Sequence, residues 1–180
     1  MKTLTNAIFL SVLLLFKAGF SIAQVEKMDP EKRVKELGIT LITPVAPTAN
    51  FVKAVQIGNL VYLSGHGPDK PEGGQVTGKV GSDLSVEQAQ QAARLVGISL
   101  LSTLKKEIGN LNKVKRIVKV LGMVNCIPTF EKHSQVINGF SDLMVEVFGE
   151  NGKHARSSIG LSSLPANIPV EIEMIVELKK

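Results

Sequence analysis

Few residues in this chain combine a reactive side chain with a conspicuous setting. Arg156 stands near the start of "ARSSIGLSSLPANIPVEIEMIVEL", residues 155–178, followed by an uncharged run of Ser, Ile, Gly and Leu. A guanidinium is a planar, permanently charged fork that suits a carboxylate. The end of the same stretch alternates. Val170, Ile172, Met174, Val176 and Leu178 share one face of a strand, and Glu171, Glu173 and Glu177 share the other. Residue types alone leave two readings of Arg156. It pairs with a neighbouring acid such as Glu171 across a sheet, or it grips an anionic ligand.

The other reactive groups carry weaker signals. Cys126 is the single cysteine, which excludes an intrachain disulfide and a cysteine-cluster metal site. It lies in the apolar run "VLGMVNCI" and reads as an inert core thiol. His66, His133 and His154 show no ligand spacing, so no metal is expected.

Composition bounds the class. One domain is the prior for 180 residues, and 44% hydrophobic content can build a core. "MKTLTNAIFLSVLLLFKAGFSIAQ" has Lys2, an apolar run from Ala7 to Phe16, and small residues at Ser21 and Ala23. That pattern predicts a signal peptide over residues 1–23 and an exported, periplasmic or secreted protein. The alternative is an uncleaved anchor, against which the ten-residue apolar run is short of the about 20 residues a bilayer span needs. The segment contains no acid, so its removal lowers the formal charge from +5 to +3. The densest basic spots, "KKE" at 105–107 and "KVKR" at 113–116, fit a solvated surface. With no Trp and one Tyr, base-stacking platforms are scarce, so no nucleic-acid partner is expected.

The elements that must position Arg156 follow from the pattern. Residues 24–46 read as a short N-terminal helix, with Asp29 as cap, Pro30 at the first position and Gly38 at the end, followed by a Pro-rich lead-in. A domain over 47–180 comes next. "FVKAVQIGNLVYLSGHGP" predicts a hairpin turning at "GN", and "DKPEGGQVTGKVGSD" a glycine-rich loop. Ser85 and Gln88 form a capping box for a long helix whose apolar residues recur from Ala89 to Ile108, ending at Gly109. "VKRIVKVLGMVNCI" is the third strand. Pro128 and Thr129 are expected to start a second helix with Val136, Ile137, Phe140, Met144, Val147 and Phe148 inward. Two strands finish the chain. The order β-β-α-β-α-β-β, with both long helices on one side of the sheet, is an α+β two-layer sandwich. Its other face, with Ile159, Leu161 and Ile175, has nothing left in the chain to cover it, so an oligomer is expected.

"VYLSGHGP", "VKRIVKVLGMV", "VINGF" and "HARSSIGLSSLPANIPVEIEMIVEL" resemble, in that order, the Rid/YjgF family of reactive intermediate deaminases, also labelled endoribonuclease L-PSP-like. The resemblance covers roughly 47–178. Its most specific part is A-R-S, then L-P about eight residues on, then V-E-I-E. It implies a chorismate-mutase-like homotrimer with ligand clefts between subunits. It also implies hydrolysis of 2-imino acids to 2-oxo acids and ammonia without a cofactor. On the matching positions, Arg156 would grip the substrate carboxylate and Glu171 would position the attacking water. Gly65 would bring backbone to the ligand, and Asn138 would line the cleft. Ser158 replaces a frequent cysteine whose backbone N–H meets the carboxylate. Phe51 replaces the cleft-closing tyrosine, Gly160 stands where glutamate is frequent, and "EKHSQ" lengthens the second-helix region. These departures bear on substrate choice more than on fold.

Three functions compete. An exported imine hydrolase would need an imine source outside the cytoplasm, such as amino-acid oxidases. A non-catalytic trimeric module would hold a small carboxylate in the same cleft. A ribonuclease fares worst, because the chain lacks paired histidines for acid–base work and a base-stacking surface.

Overall fold

The computed structural model describes residues 28–47 and 49–180. The expected signal peptide lies outside the described residues. Helix α1 (Pro30–Glu36) starts where Asp29 Oδ1 accepts the Lys32 N–H at 3.1 Å. It ends at the Leu37 cap, just before Gly38 at φ +64°. Strands β1 (Ala54–Ile57) and β2 (Leu60–His66) form the expected hairpin, with Gly58 at φ +59° in the two-residue turn. Helix α2 (Val86–Ile108) carries the predicted capping box and stops at Gly109. Strand β3 (Val114–Asn125), helix α3 (His133–Phe148), strand β4 (Ala155–Leu161) and strand β5 (Val170–Leu178) complete the chain.

One boundary differs from expectation. Helix α3 starts at His133, not at Pro128–Thr129. The intervening residues turn back on themselves, with the Phe130 N–H donating to the Ile127 carbonyl at 3.1 Å. No side chain caps α3, so its first turn lacks the signal that marked α2.

The sheet order is β1-β2-β5-β3-β4. Neighbours are antiparallel except β3 and β4, which α3 joins as a parallel crossover. Helices α2 and α3 pack on one face. Their stripes, including Val96, Leu100, Leu104, Ile137, Phe140 and Met144, meet Val61, Val120, Ile172 and Met174 of the strands in one core. Val34 of α1 joins that core, so the N-terminal helix is bound to the domain. Val55, Ile57, Tyr62 and Ile159 remain exposed on the opposite face. No helix of the described residues is long and apolar enough to cross a membrane.

Candidate functional site

Two half-sites lie on the two faces of this sheet. The first surrounds Arg156. In the parallel register Arg156 is beside Val120, a core residue, so its side chain projects toward the helices. There Nη1 donates to Asn138 Oδ1 at 3.1 Å and to Ser141 Oγ at 2.8 Å, and Nη2 donates to the Ser134 carbonyl at 3.4 Å. All three acceptors are neutral oxygens on α3. Among the described residues no carboxylate stands within ion-pair distance of Arg156, and Asp142 acts on it only through space. Burial lowers the guanidinium's pKa from its ordinary value, and Asp142 opposes this. The expected alternative, an Arg156–Glu171 pair across the sheet, is absent. β3 separates β4 from β5, and the two side chains leave opposite faces.

Arg156 rests on a chain of hydrogen bonds that the sequence did not flag. His154 Nδ1 is 2.6 Å from the Gly152 carbonyl, which can only accept, so this nitrogen carries the proton. His154 Nε2 then accepts from Ser141 Oγ at 3.0 Å, and Ser141 accepts from Arg156. Burial, and then Arg156, lower the His154 pKa. Both residues had a periodic signal. Ser141 is three residues beyond Asn138 on a helix, and His154 is two residues before Arg156.

Ser158 and Gly160 continue the row set by Arg156. The Ser158 hydroxyl is buried and has no hydrogen-bond partner among the described residues. β4 is an edge strand, so part of its backbone N–H row is unpaired within the chain. A Cβ on Gly160 would come 2.3 Å from His133 Nε2 and 3.0 Å from Cys126 Sγ. A glutamate there would have to displace His133.

The second half-site is on the open face. Glu171 lies beside Met123, and its carboxylate packs against Gly65. Gly65 sits where the β2–β5 register shifts between Leu63 and His66. A Cβ on Gly65 would meet Glu171 Oε1 at 1.9 Å, so glycine is required for the observed position. Buried His66 holds this irregular backbone, with Nδ1 2.7 Å from the Ser64 carbonyl and Nε2 2.8 Å from Thr103 Oγ1 on α2. Burial, then Glu173, raise the Glu171 pKa. A carboxylate held in this way is a stronger base than one free in water.

Phe51 belongs to neither half-site. It is exposed at the rim of a cavity of about 780 Å³ between the lead-in and the loop after β2, with Leu41, Lys53, Asp69 and Gln75. Thus one chain gathers Arg156, Asn138 and Ser158 on the helical side. It gathers Gly65 and Glu171 on the open side.

Fold and sequence place the chain in a known class. Residues 31–178 match the YjgF/chorismate mutase-like model, and the chain belongs to that family. The β-β-α-β-α-β-β sandwich is its chorismate-mutase-like fold. Protein TCP17 of Trypanosoma cruzi is 40% identical over 146 residues, covering 81% of this chain and 91% of the relative. A structure of Atu1372 from Agrobacterium tumefaciens, whose function is unknown, is 43% identical with a TM-score of 0.77. It covers 83% of this chain and 92% of its own. A 2-iminobutanoate/2-iminopropanoate deaminase of Dermatophagoides farinae is 32% identical over 140 residues, covering 76% of this chain and 94% of the enzyme.

Proposed function

We propose that the protein hydrolyses reactive 2-imino acids to 2-oxo acids and ammonia. The clefts would lie between subunits of a homotrimer. The observation that carries this reading is the state of Arg156. α3 holds its guanidinium by three neutral acceptors, which occupy both Nη1 hydrogens and one on Nη2. Among the described residues the Nε–H and one Nη2–H have no acceptor, and a guanidinium with free N–H groups can bind a carboxylate. Similarity to the mite deaminase supports the reaction class.

A protonated imine carbon is already electrophilic. The protein's work is to anchor the carboxylate, place a water and handle protons. Arg156 anchors, and Asn138 and Ser141 fix its orientation. Glu171, with its raised pKa, accepts the proton of the attacking water. Water adds to the imine carbon, and the carbinolamine loses ammonia as the 2-oxo acid forms. For both to act on one substrate, the edge strand β4 of one subunit, which carries Arg156, would lie beside the open face of another that carries Glu171.

The test is an imine-hydrolysis assay on the protein as purified, with the imine made in situ by an amino-acid oxidase. The expected result is 2-oxo acid formation above the uncatalysed rate, lost in Arg156→Ala. Binding of 2-oxobutyrate without turnover would instead mark a carboxylate-binding module. For the exported reading, N-terminal sequencing should find Gln24 as the first residue, and a chain beginning at Met1 in the cytoplasm rejects it.

A further inference from the structure

A second constellation lies beyond the carboxylate-binding groups. Cys126 directly follows β3, and its Sγ is 3.4 Å from Nε2 of His133, the first residue of α3. The sequence reading of Cys126 as an inert core thiol covers only part of this. The residue is 6% exposed and touches the core, but its sulfur also meets an imidazole. Both groups line a cavity of about 420 Å³ together with Lys79, Ile127, Phe130 and Gly160. Gly160 leaves room for the pair, because a Cβ there would collide with His133 Nε2 and press on Cys126 Sγ. Phe130 meets the His133 ring edge-on, with centroids 5.2 Å apart, and limits its rotation.

Lys79 supplies a third component. Its ammonium donates to Asn125 Oδ1 at 2.9 Å and to the Ser162 carbonyl. One N–H remains, and among the described residues no carboxylate lies within ion-pair distance of it. Asp83, whose carboxylate accepts from the Lys79 backbone N–H at 2.8 Å, acts on the ammonium only through space, and a cation fixed next to a thiol–imidazole pair can hold an oxyanion. Burial raises the Cys126 pKa above its ordinary value, so the resting group is a thiol, and the Leu161 backbone and then Lys79 only partly oppose this. The imidazole within hydrogen-bond reach is the base that removes the proton.

We propose that Cys126, His133 and Lys79 form a nucleophilic site for small α,β-unsaturated carbonyl compounds. The S–H proton passes to His133 Nε2, and the sulfur bonds to the β-carbon. The double-bond electrons move onto the carbonyl oxygen, giving an enolate beside Lys79. The His133 imidazolium then protonates the α-carbon. The thiol has added across the double bond, nothing leaves, and no oxidant or reductant is needed. Other thiol chemistry fits less well. A disulfide cycle needs a second thiol, and the chain has one cysteine. A metal needs more ligands, and among the described residues no cluster of three potential ligands exists.

The single cysteine makes the experiment direct. The intact full-length protein is treated with methyl vinyl ketone near neutral pH and followed by intact mass, with N-acetylcysteine as the free-thiol reference. The expected result is one adduct, absent in Cys126→Ser, formed faster than on N-acetylcysteine. His133→Ala should slow it by at least about tenfold. Lys79→Met should slow ketone addition more than alkylation by iodoacetamide, which develops no enolate. Addition slower than on N-acetylcysteine, or an adduct that persists in Cys126→Ser, overturns the proposal. A rate unchanged in folded His133→Ala also overturns it. If His133→Ala fails to fold, the wild-type rate against the free thiol decides. The test uses no imine, so it stands apart from the hydrolase reading.

Discussion

Arg156 and Glu171 leave opposite faces of one sheet, with β3 between their strands. Arg156 points at α3 and Glu171 at the uncovered face. A single chain therefore cannot place both on one small molecule. If they act together, each belongs to a different copy.

Subunit mixing tests this. Arg156→Ala and Glu171→Gln should each be inactive. Co-folded in equal amounts, they should recover roughly a quarter of wild-type imine hydrolysis, because every mixed trimer rebuilds one of its three interfaces. No recovery, with mixed trimers confirmed by native mass, means that the two residues do not share a site.

The open face makes a related forecast. Val55, Tyr62 and Ile159 form apolar surface that no helix of the described residues covers. Analytical ultracentrifugation should find a trimer, and Tyr62→Glu should weaken it. A stable wild-type monomer would reject both the trimer and the shared cleft.

Arg156→Ala should weaken binding of 2-oxobutyrate by at least about tenfold. A charge-assisted hydrogen bond contributes about 1.5–3 kcal/mol, and 1.4 kcal/mol is about tenfold. Arg156→Lys should recover little, because an ammonium lacks the planar fork. The chain should still fold, since all three partners of Arg156 can turn to water. Titration calorimetry beside a thermal melt reads both effects. Unchanged affinity with a lowered melting temperature would make the arginine structural.

Much of this arrangement was legible in the sequence. The alternation of β5 showed which face Glu171 takes, and the capping box and Gly109 marked both ends of α2. Strand order was not legible. The parallel β3–β4 pair, which puts two strand widths between Arg156 and Glu171, is a long-range choice with no local signal. The start of α3 was misplaced because Pro128, favourable at a helix start, sits in a turn instead. Phe51 lies with the lead-in and the 67–75 loop, an arrangement set by loop packing rather than periodicity. Cys126 and His133 are seven residues apart, and only the turn between them makes them neighbours.

Gly65→Ala should uncouple stability from activity. The new methyl group would meet the far end of the flexible Glu171 side chain, at 1.9 Å, rather than backbone. The carboxylate can swing away, so the melt should change little. A catalytic group misplaced by about 1 Å can cost on the order of a hundredfold in rate, and kcat should fall on that scale. Wild-type kcat in Gly65→Ala would remove Glu171 from the reaction.

The histidines give the protein a predictable acid limit. Nε2 of His154 accepts from Ser141, and burial and Arg156 both oppose its protonation, so its folded pKa lies below that of the unfolded chain. The unfolded chain therefore binds more protons wherever the two forms differ. This contribution to stability is fully present above the unfolded value of about 6.5 and is lost as pH falls through the folded value. His66 acts in the same direction, because it is buried between Ser64 and Thr103. Melting temperature should fall between about pH 7.5 and about pH 5.5 in the wild type. His154→Gln keeps a polar side chain but cannot titrate, so it should start lower at neutral pH and fall less on acidification. His66→Gln should behave in the same way, and the double variant should show the flattest profile. Differential scanning calorimetry at the two pH values measures this. An acid decline of the same size in His154→Gln as in wild type would show that the His154–Ser141–Arg156 chain is not what titrates.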